Sequence, residues 1–230
     1  MARSRKSTAA SAKPAALPRR SPVDLNVSSS SASDFPASAT IPPAPESAAP
    51  GAALLAVDLQ TSLIGALSAV DAASVRARAG LALAAAHGLG IPVVFSEQVP
   101  AKLGPTDPRL RKLAPLATVF AKDTFSAFSH EAIAAHLHAA KVEHLLLCGL
   151  ETPICIYQTA LGALGFGLQV TVLVDAVGAR RSADSAACIS ALRHAGVHVL
   201  PVESVFYALL HDAGHPFFKP FTALVKAAGK

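Results

Sequence analysis

The 230-residue chain has no tryptophan, one methionine, two tyrosines and three cysteines, and only 15% of its residues are charged. Each shortage closes off a class of protein. Cys148, Cys155 and Cys188 are odd in number and lack paired spacing, so they do not build a disulfide framework. They fit a reducing compartment, and the expected location is the cytoplasm. No stretch of about 20 residues is apolar enough to span a bilayer, so no membrane partner is expected. The start of the chain lacks the apolar segment of a secretory signal. No GxxxxGK[ST] phosphate loop and no HExxH occur. His194 and His198 are separated by Gly196, and His211 and His215 by Gly214, so neither pair presents metal-ligand spacing on one helix. The glycines of "GALGFG" (Gly162, Gly165, Gly167) end a helical stretch instead of opening one, which excludes a dinucleotide loop. No metal and no cofactor are expected.

Large apolar side chains are scarce in residues 1–50, which are mostly Ala, Ser and Pro. Such a segment cannot bury enough apolar area to offset its ordering entropy, and it reads as a disordered leader. Residues 51–230 suit one domain with one core. The leader holds six basic residues and three acids, so most of the net charge of +5 lies there. The remainder carries no electrostatic footprint for nucleic acid. Three readings of the leader stay open: a solvated extension, an organelle transit peptide (mitochondrial or other), or an arm for an anionic partner.

From residue 51 short apolar runs alternate with helix-like stretches. The runs are 52–58, 91–97, 117–122, 144–150, 168–176 and 197–202. The helical stretches are about 70–88, 130–139, 153–164, 183–195 and 203–211. Continuous apolar runs mark strands covered on both faces. The alternation gives an α/β domain, a parallel sheet with helices on both sides. Segment 98–116, rich in Pro and Gly, reads as a long loop. Exposed apolar residues in "VFYALLHDAGHPFF" (205–218) read as a surface for another subunit.

In such a sheet chemistry collects at the carboxyl ends of the strands. Asp58 and Gln60 end the first strand, Ser96, Glu97 and Gln98 the second, and Lys122 to Ser126 the third. Cys155 follows the fourth, near a helix start that favours a thiolate. Each residue also has an ordinary explanation. A free cysteine is often a small buried apolar residue, a strand-end Asp a turn former, a lysine a solvated charge. Cys148, in a strand, and Cys188, in a helix, read as core.

The segments "LLAVDLQ", "VVFSEQVPAKLGPTDPRL", "VFAKDTFSAF" and "LLLCGLETPICIYQTALGALGFGLQVTVLVDAVGARR" resemble the isochorismatase-like cysteine hydrolases in order and spacing. The resemblance covers nearly all of 51–230 and implies a Rossmann-like sheet of strand order 3-2-1-4-5-6. It implies an Asp-Lys-Cys triad of Asp58, Lys122 and Cys155. It also implies a cis peptide between Leu150 and Glu151, and an oxyanion hole from the backbone amides of Glu151 and Cys155. Relatives that cleave the vinyl ether of isochorismate lack the cysteine, so its presence favours cleavage of an amide, ureide or carbamoyl C–N bond. Relatives acting on nicotinamide carry an Asp-x-His metal motif after the first strand. Residues 59–86 hold no histidine, which argues against that activity. The "SEQVPAKLGPT" loop is similar to the isochorismatase domain-containing subgroup. Glu97, Gln98, Phe125 and Thr152 are the expected pocket-wall residues. A small-molecule substrate and a homo-oligomer are the expected partners. The alternative is a binding or scaffold protein that kept the fold without turnover.

Overall fold

The structure, a computed structural model, describes residue 47 and residues 49–229. The expected disordered leader lies outside them, apart from Ser47, Ala49 and Pro50. Among the described residues six strands form one parallel sheet: β1 (Ala52–Val57), β2 (Val93–Gln98), β3 (Thr118–Lys122), β4 (His144–Leu150), β5 (Gln169–Gly178) and β6 (His198–Leu200). Their spatial order is β3-β2-β1-β4-β5-β6. The expected α/β single domain with its 3-2-1-4-5-6 order is therefore what the chain forms.

The helices are α1 (Thr61–Gly65), α2 (Ala69–Gly88), α3 (Pro100–Leu103), α4 (Pro108–Arg111), α5 (Glu131–Ala139), α6 (Tyr157–Gly165), α7 (Ser182–His194), α8 (Val202–Leu210) and α9 (Phe218–Ala228). Successive side chains of a strand point to opposite faces, so β1 feeds two cores. Leu54 and Ala56 pack with Val75, Leu83, Phe206 and Phe221 of α2, α8 and α9. Leu55 and Val57 pack with Ile133, Ala160 and Ile189 of α5, α6 and α7. The alanines of α2 (Ala79, Ala82, Ala85, Ala86) let this long helix lie close on the sheet. Ser68 caps it by accepting a hydrogen bond from the Asp71 amide at 3.1 Å.

Three local expectations need correction. Segment 98–116 is not one loop: it contains α3 and α4, each started by a proline in its first turn. There the missing amide hydrogen costs nothing, so Pro starts the helix that it normally breaks. In residues 205–218 three large side chains are not available to another subunit, while Val205, Tyr207, Leu209 and Phe218 are half-buried. Phe206, Leu210 and Phe217 are buried against Phe221 of α9, with the Phe206 and Phe221 rings 5.8 Å apart. Cys188 is half-buried, not core, because it lies off the sheet-facing side of α7 that carries Ile189 and Leu192.

Gly149 fixes how the two central strands meet. Its φ is +119°, and a Cβ there would lie 1.9 Å from the Val57 carbonyl oxygen. Only glycine lets β4 come this close to β1 as both reach their carboxyl ends.

Candidate functional site

At those ends four elements converge. Asp58 follows β1 with φ +52°, a left-handed conformation unusual for a non-glycine residue but tolerated by Asp. The side chain has no exposed surface. Ser96 Oγ, from the neighbouring strand, donates to Asp58 Oδ1 at 2.9 Å. Lys122 Nζ, from β3, donates to Oδ2 at 2.8 Å, and neither partner of this ion pair is exposed. Lys122 also donates to Gln98 Oε1 at 2.6 Å and to the Thr124 carbonyl at 3.1 Å.

Cys155 comes from the other side. After β4 the Leu150–Glu151 peptide is cis, and Thr152–Ile156 form a π-helical turn leading into α6. This turn sets the thiol, 7% exposed, with Sγ 3.7 Å from Lys122 Nζ and 3.9 Å from Gln98 Oε1. The Asp58 carboxylate and the Glu151 backbone amide also act on the sulfur, in opposite directions. The structure thus brings Asp58, Lys122, Cys155 and the Glu151 amide together.

Burial pushes the Asp58 carboxyl above its usual range, against the pull of Lys122. A carboxylate made more basic in this way is a better proton acceptor. Burial also pushes the Cys155 thiol up to about 12, and the Asp58 charge adds to the rise, while Lys122 and the Glu151 amide oppose it. The reading of a thiolate favoured by a helix start is therefore corrected. Desolvation outweighs Lys122 and the Glu151 amide, and the resting group is a thiol.

The expected pocket-wall residues separate. Gln98 lies inside the site, against both Lys122 and Cys155. Glu97 is turned to the loop, where one carboxylate oxygen accepts from the Thr106 amide (2.7 Å) and hydroxyl (2.8 Å). Thr152 is buried and donates to the Gly178 carbonyl at 3.0 Å, tying the turn to β5. Phe125 is 55% exposed. Sequence reading gives no role to Ser96, Gln60 or Arg180. Ser96 holds the acid. Gln60 is fully buried and bonds Gln98 and the loop. Arg180 grips both carboxylate oxygens of Glu151, at 2.8 and 3.0 Å. The signal for Ser96 and Gln60 was their place at strand ends; for Arg180 there was none.

Two surface concavities lie away from the thiol. One is lined by Phe128, Ala134, His138 and Phe166, the other by Val75, Val177, Ala186 and Arg193. Among the described residues no three His, Cys, Asp or Glu side chains gather as a metal site requires. Nor is any described helix long and apolar enough to cross a membrane.

A family model for the isochorismatase domain matches residues 52–204. The chain belongs to the isochorismatase domain family. That places it in a family of hydrolases. Isochorismatase domain-containing protein 2 of Bos taurus is 41% identical over 147 residues, 63% of this chain and 69% of that protein. The structure of the MAR1 ribonuclease from Caenorhabditis elegans superimposes with a TM-score of 0.68 at 29% identity, covering 76% of this chain and 89% of that one. The YcaC gene product of Escherichia coli, described as an octameric hydrolase of unknown specificity, gives a TM-score of 0.73 at 21% identity. Its overlap covers 77% of this chain and 87% of that one, a likeness of fold.

Proposed function

We propose that this isochorismatase-family chain is a cysteine hydrolase that cleaves a C–N bond of a small amide, ureide or carbamoyl compound. The observation that carries the reading is the contact of the buried Asp58–Lys122 pair with the Cys155 thiol. Cys155 Sγ attacks the carbonyl carbon as its proton passes to Asp58, so no free thiolate has to form in the resting site. The transfer neutralises Asp58 while negative charge grows on the carbonyl oxygen. The Glu151 and Cys155 backbone amides receive that charge. Asp58 then gives its proton to the leaving nitrogen as the C–N bond breaks, which leaves an acyl group on sulfur. Water cleaves this thioester, with Asp58 taking a proton from the water and the thiol regaining one. Every step balances within the three side chains, the substrate and water, and none calls for a metal.

Assembly into a homo-oligomer belongs to the same reading. Phe166, 64% exposed, and Leu161 put apolar surface on α6 and the turn after it. Light scattering on the purified protein checks it, and a monomer at micromolar concentration removes this part.

The test of the chemistry is a panel of amides, ureides, carbamoyl compounds and a short RNA, run with wild type and Cys155→Ala. Hydrolysis of a C–N substrate that Cys155→Ala loses, with an acyl mass on the Cys155 peptide during turnover, supports the proposal. A rate retained by Cys155→Ala, or cleavage of the RNA alone, overturns it.

A further inference from the structure

Lys122 gives its short hydrogen bonds to oxygens and only a long one to the Cys155 sulfur. An ammonium group has three N–H donors. Here they meet three oxygens, Asp58 Oδ2 at 2.8 Å, Gln98 Oε1 at 2.6 Å and the Thr124 carbonyl at 3.1 Å. Cys155 Sγ, at 3.7 Å, is a fourth and longest contact, which has to share an ammonium proton with one of these oxygens. The shortest of these bonds goes to a neutral amide and not to the carboxylate. That amide is firmly oriented. Gln98 Nε2 donates to the Asp123 carbonyl at 3.1 Å, which turns Oε1 toward the ammonium. The Gln98 backbone is held by Gln60, whose Oε1 accepts from the Gln98 amide at 2.7 Å. Gln60 Nε2 donates to the Gln98 carbonyl at 3.0 Å and the Gly104 carbonyl at 2.6 Å. A fully buried glutamine therefore fixes a second one, which fixes the lysine.

We propose that Gln98, anchored by Gln60, is a positioning residue that keeps the Lys122 N–H donors on oxygen, with only a long contact left for the Cys155 sulfur, until Asp58 accepts the thiol proton. The inference rests on the cysteine-hydrolase reading and adds a gate to it. At rest no N–H is given to the sulfur alone, so Lys122 stabilises a thiolate only weakly, and the thiol keeps its proton and resists adventitious alkylation. When the S–H bond breaks and the proton joins Asp58, that carboxyl loses its charge and its grip on Lys122. One N–H is then released beside the sulfur, while Gln98 and Thr124 keep the other two. The ammonium turns by one hydrogen bond, at the moment when sulfur becomes negative.

Asp58 and Lys122 are the charged groups that act on the thiol. The nearby Glu97 carboxylate is taken up by Thr106 and that of Glu151 by Arg180. This allows a test that needs no substrate: timed iodoacetamide labelling at pH 8 with peptide mapping of Cys155, with Cys188 in the same sample as reference. Gln98→Met removes the acceptor and frees an N–H whose nearest remaining partner is the sulfur. Labelling of Cys155 is expected to rise severalfold. Gln98→Glu keeps the size and the bond but adds a second carboxylate, and labelling is expected to fall severalfold. A merely structural role would move both variants the same way. Opposite changes support the gate; equal signs, or no change in either, overturn it. Should Gln98→Met unfold, Gln98→Glu decides alone, since an unchanged or faster rate contradicts the proposal. The outcome is separate from the hydrolase reading, which stands or falls on Cys155→Ala with the substrate panel.

Discussion

Cys148 and Cys155 stand at either end of one strand-to-helix crossing, and both thiols are pushed up to about 12. The causes differ. Cys148 sits within β4 with no exposed surface, and burial alone raises it. Cys155 is raised by burial and by the Asp58 charge, while Lys122 and the Glu151 amide pull the other way. One thiol is inert because nothing charged is near. The other is quiet because opposing charges are balanced around it, and such a balance can be tipped by moving a single proton. The number is shared; the capacity to react is not.

The largest expected effect separates the two directly. Cys155→Ala should lower turnover of an identified substrate about 10⁴-fold or more, as removal of a covalent nucleophile does. Cys148→Ala should leave turnover within about threefold of wild type. Comparable losses in both would erase the distinction. Asp58→Asn comes next. It removes the proton acceptor, so turnover should fall about 10³-fold. It also removes the charge that opposes a thiolate, so Cys155 ionises at lower pH and its labelling by iodoacetamide at pH 9 should accelerate. The sign follows from linkage, because a nearby anion raises a thiol pKa and its loss lowers it. Slower labelling in a folded Asp58→Asn protein would show that Asp58 is not what restrains the thiol.

A smaller effect is expected at Cys148→Ser, which exchanges a buried thiol for a hydroxyl that must find a partner in the core. The cost is about 1–3 kcal/mol, read as a lower midpoint in chemical unfolding. Cys155 labelling per folded molecule should not change. The smallest concerns Glu151→Gln. If the backbone amide of residue 151 does the work, losing the carboxylate that Arg180 grips should cost turnover no more than about fivefold. A loss as large as that of Asp58→Asn would move the chemistry from the amide to the side chain.

The strands and the polar residues at their ends were legible in the sequence because strands covered on both faces are continuous apolar runs, whereas the sheet order and the choice of Asp58, Lys122 and Cys155 came from the resemblance to isochorismatase-like hydrolases. β1, from Ala53 to Val57, is such a run and shows no exposed residue. Strand-end polar residues then fall on one edge by topology alone. What was not legible depends on which strands become neighbours. Ser96 reaches Asp58, and Gln60 reaches Gln98, only because β1 and β2 pair in the register Val57 to Ser96. α9 escaped notice because Pro220 lies inside its sequence. At the third helical position Pro gives up an amide that has no intrahelical partner anyway. The aromatic residues before it then looked exposed, when in fact α9 covers them. The direction of the Cys155 pKa was misjudged because a helix start is visible in sequence and burial is not.

Strand β1 also divides the site by how fast its parts can open. It is hydrogen-bonded to β2 on one side and β4 on the other, and its central residues are sealed in both cores. Its amide hydrogens should exchange with deuterium only through opening of the whole sheet. Asp58 is tethered to that slowest clock, through its own amide bond to the Ser96 carbonyl at 2.9 Å. The strap 99–107 lies outside the sheet ladder and is held by separate ties from Gln60, Ser62, Arg76, Glu97 and the Leu59 and Lys122 carbonyls. Its exposed amides should exchange sooner than those of β1. The base should thus be as durable as the fold itself, while the wall beside it is expected to open before the sheet does.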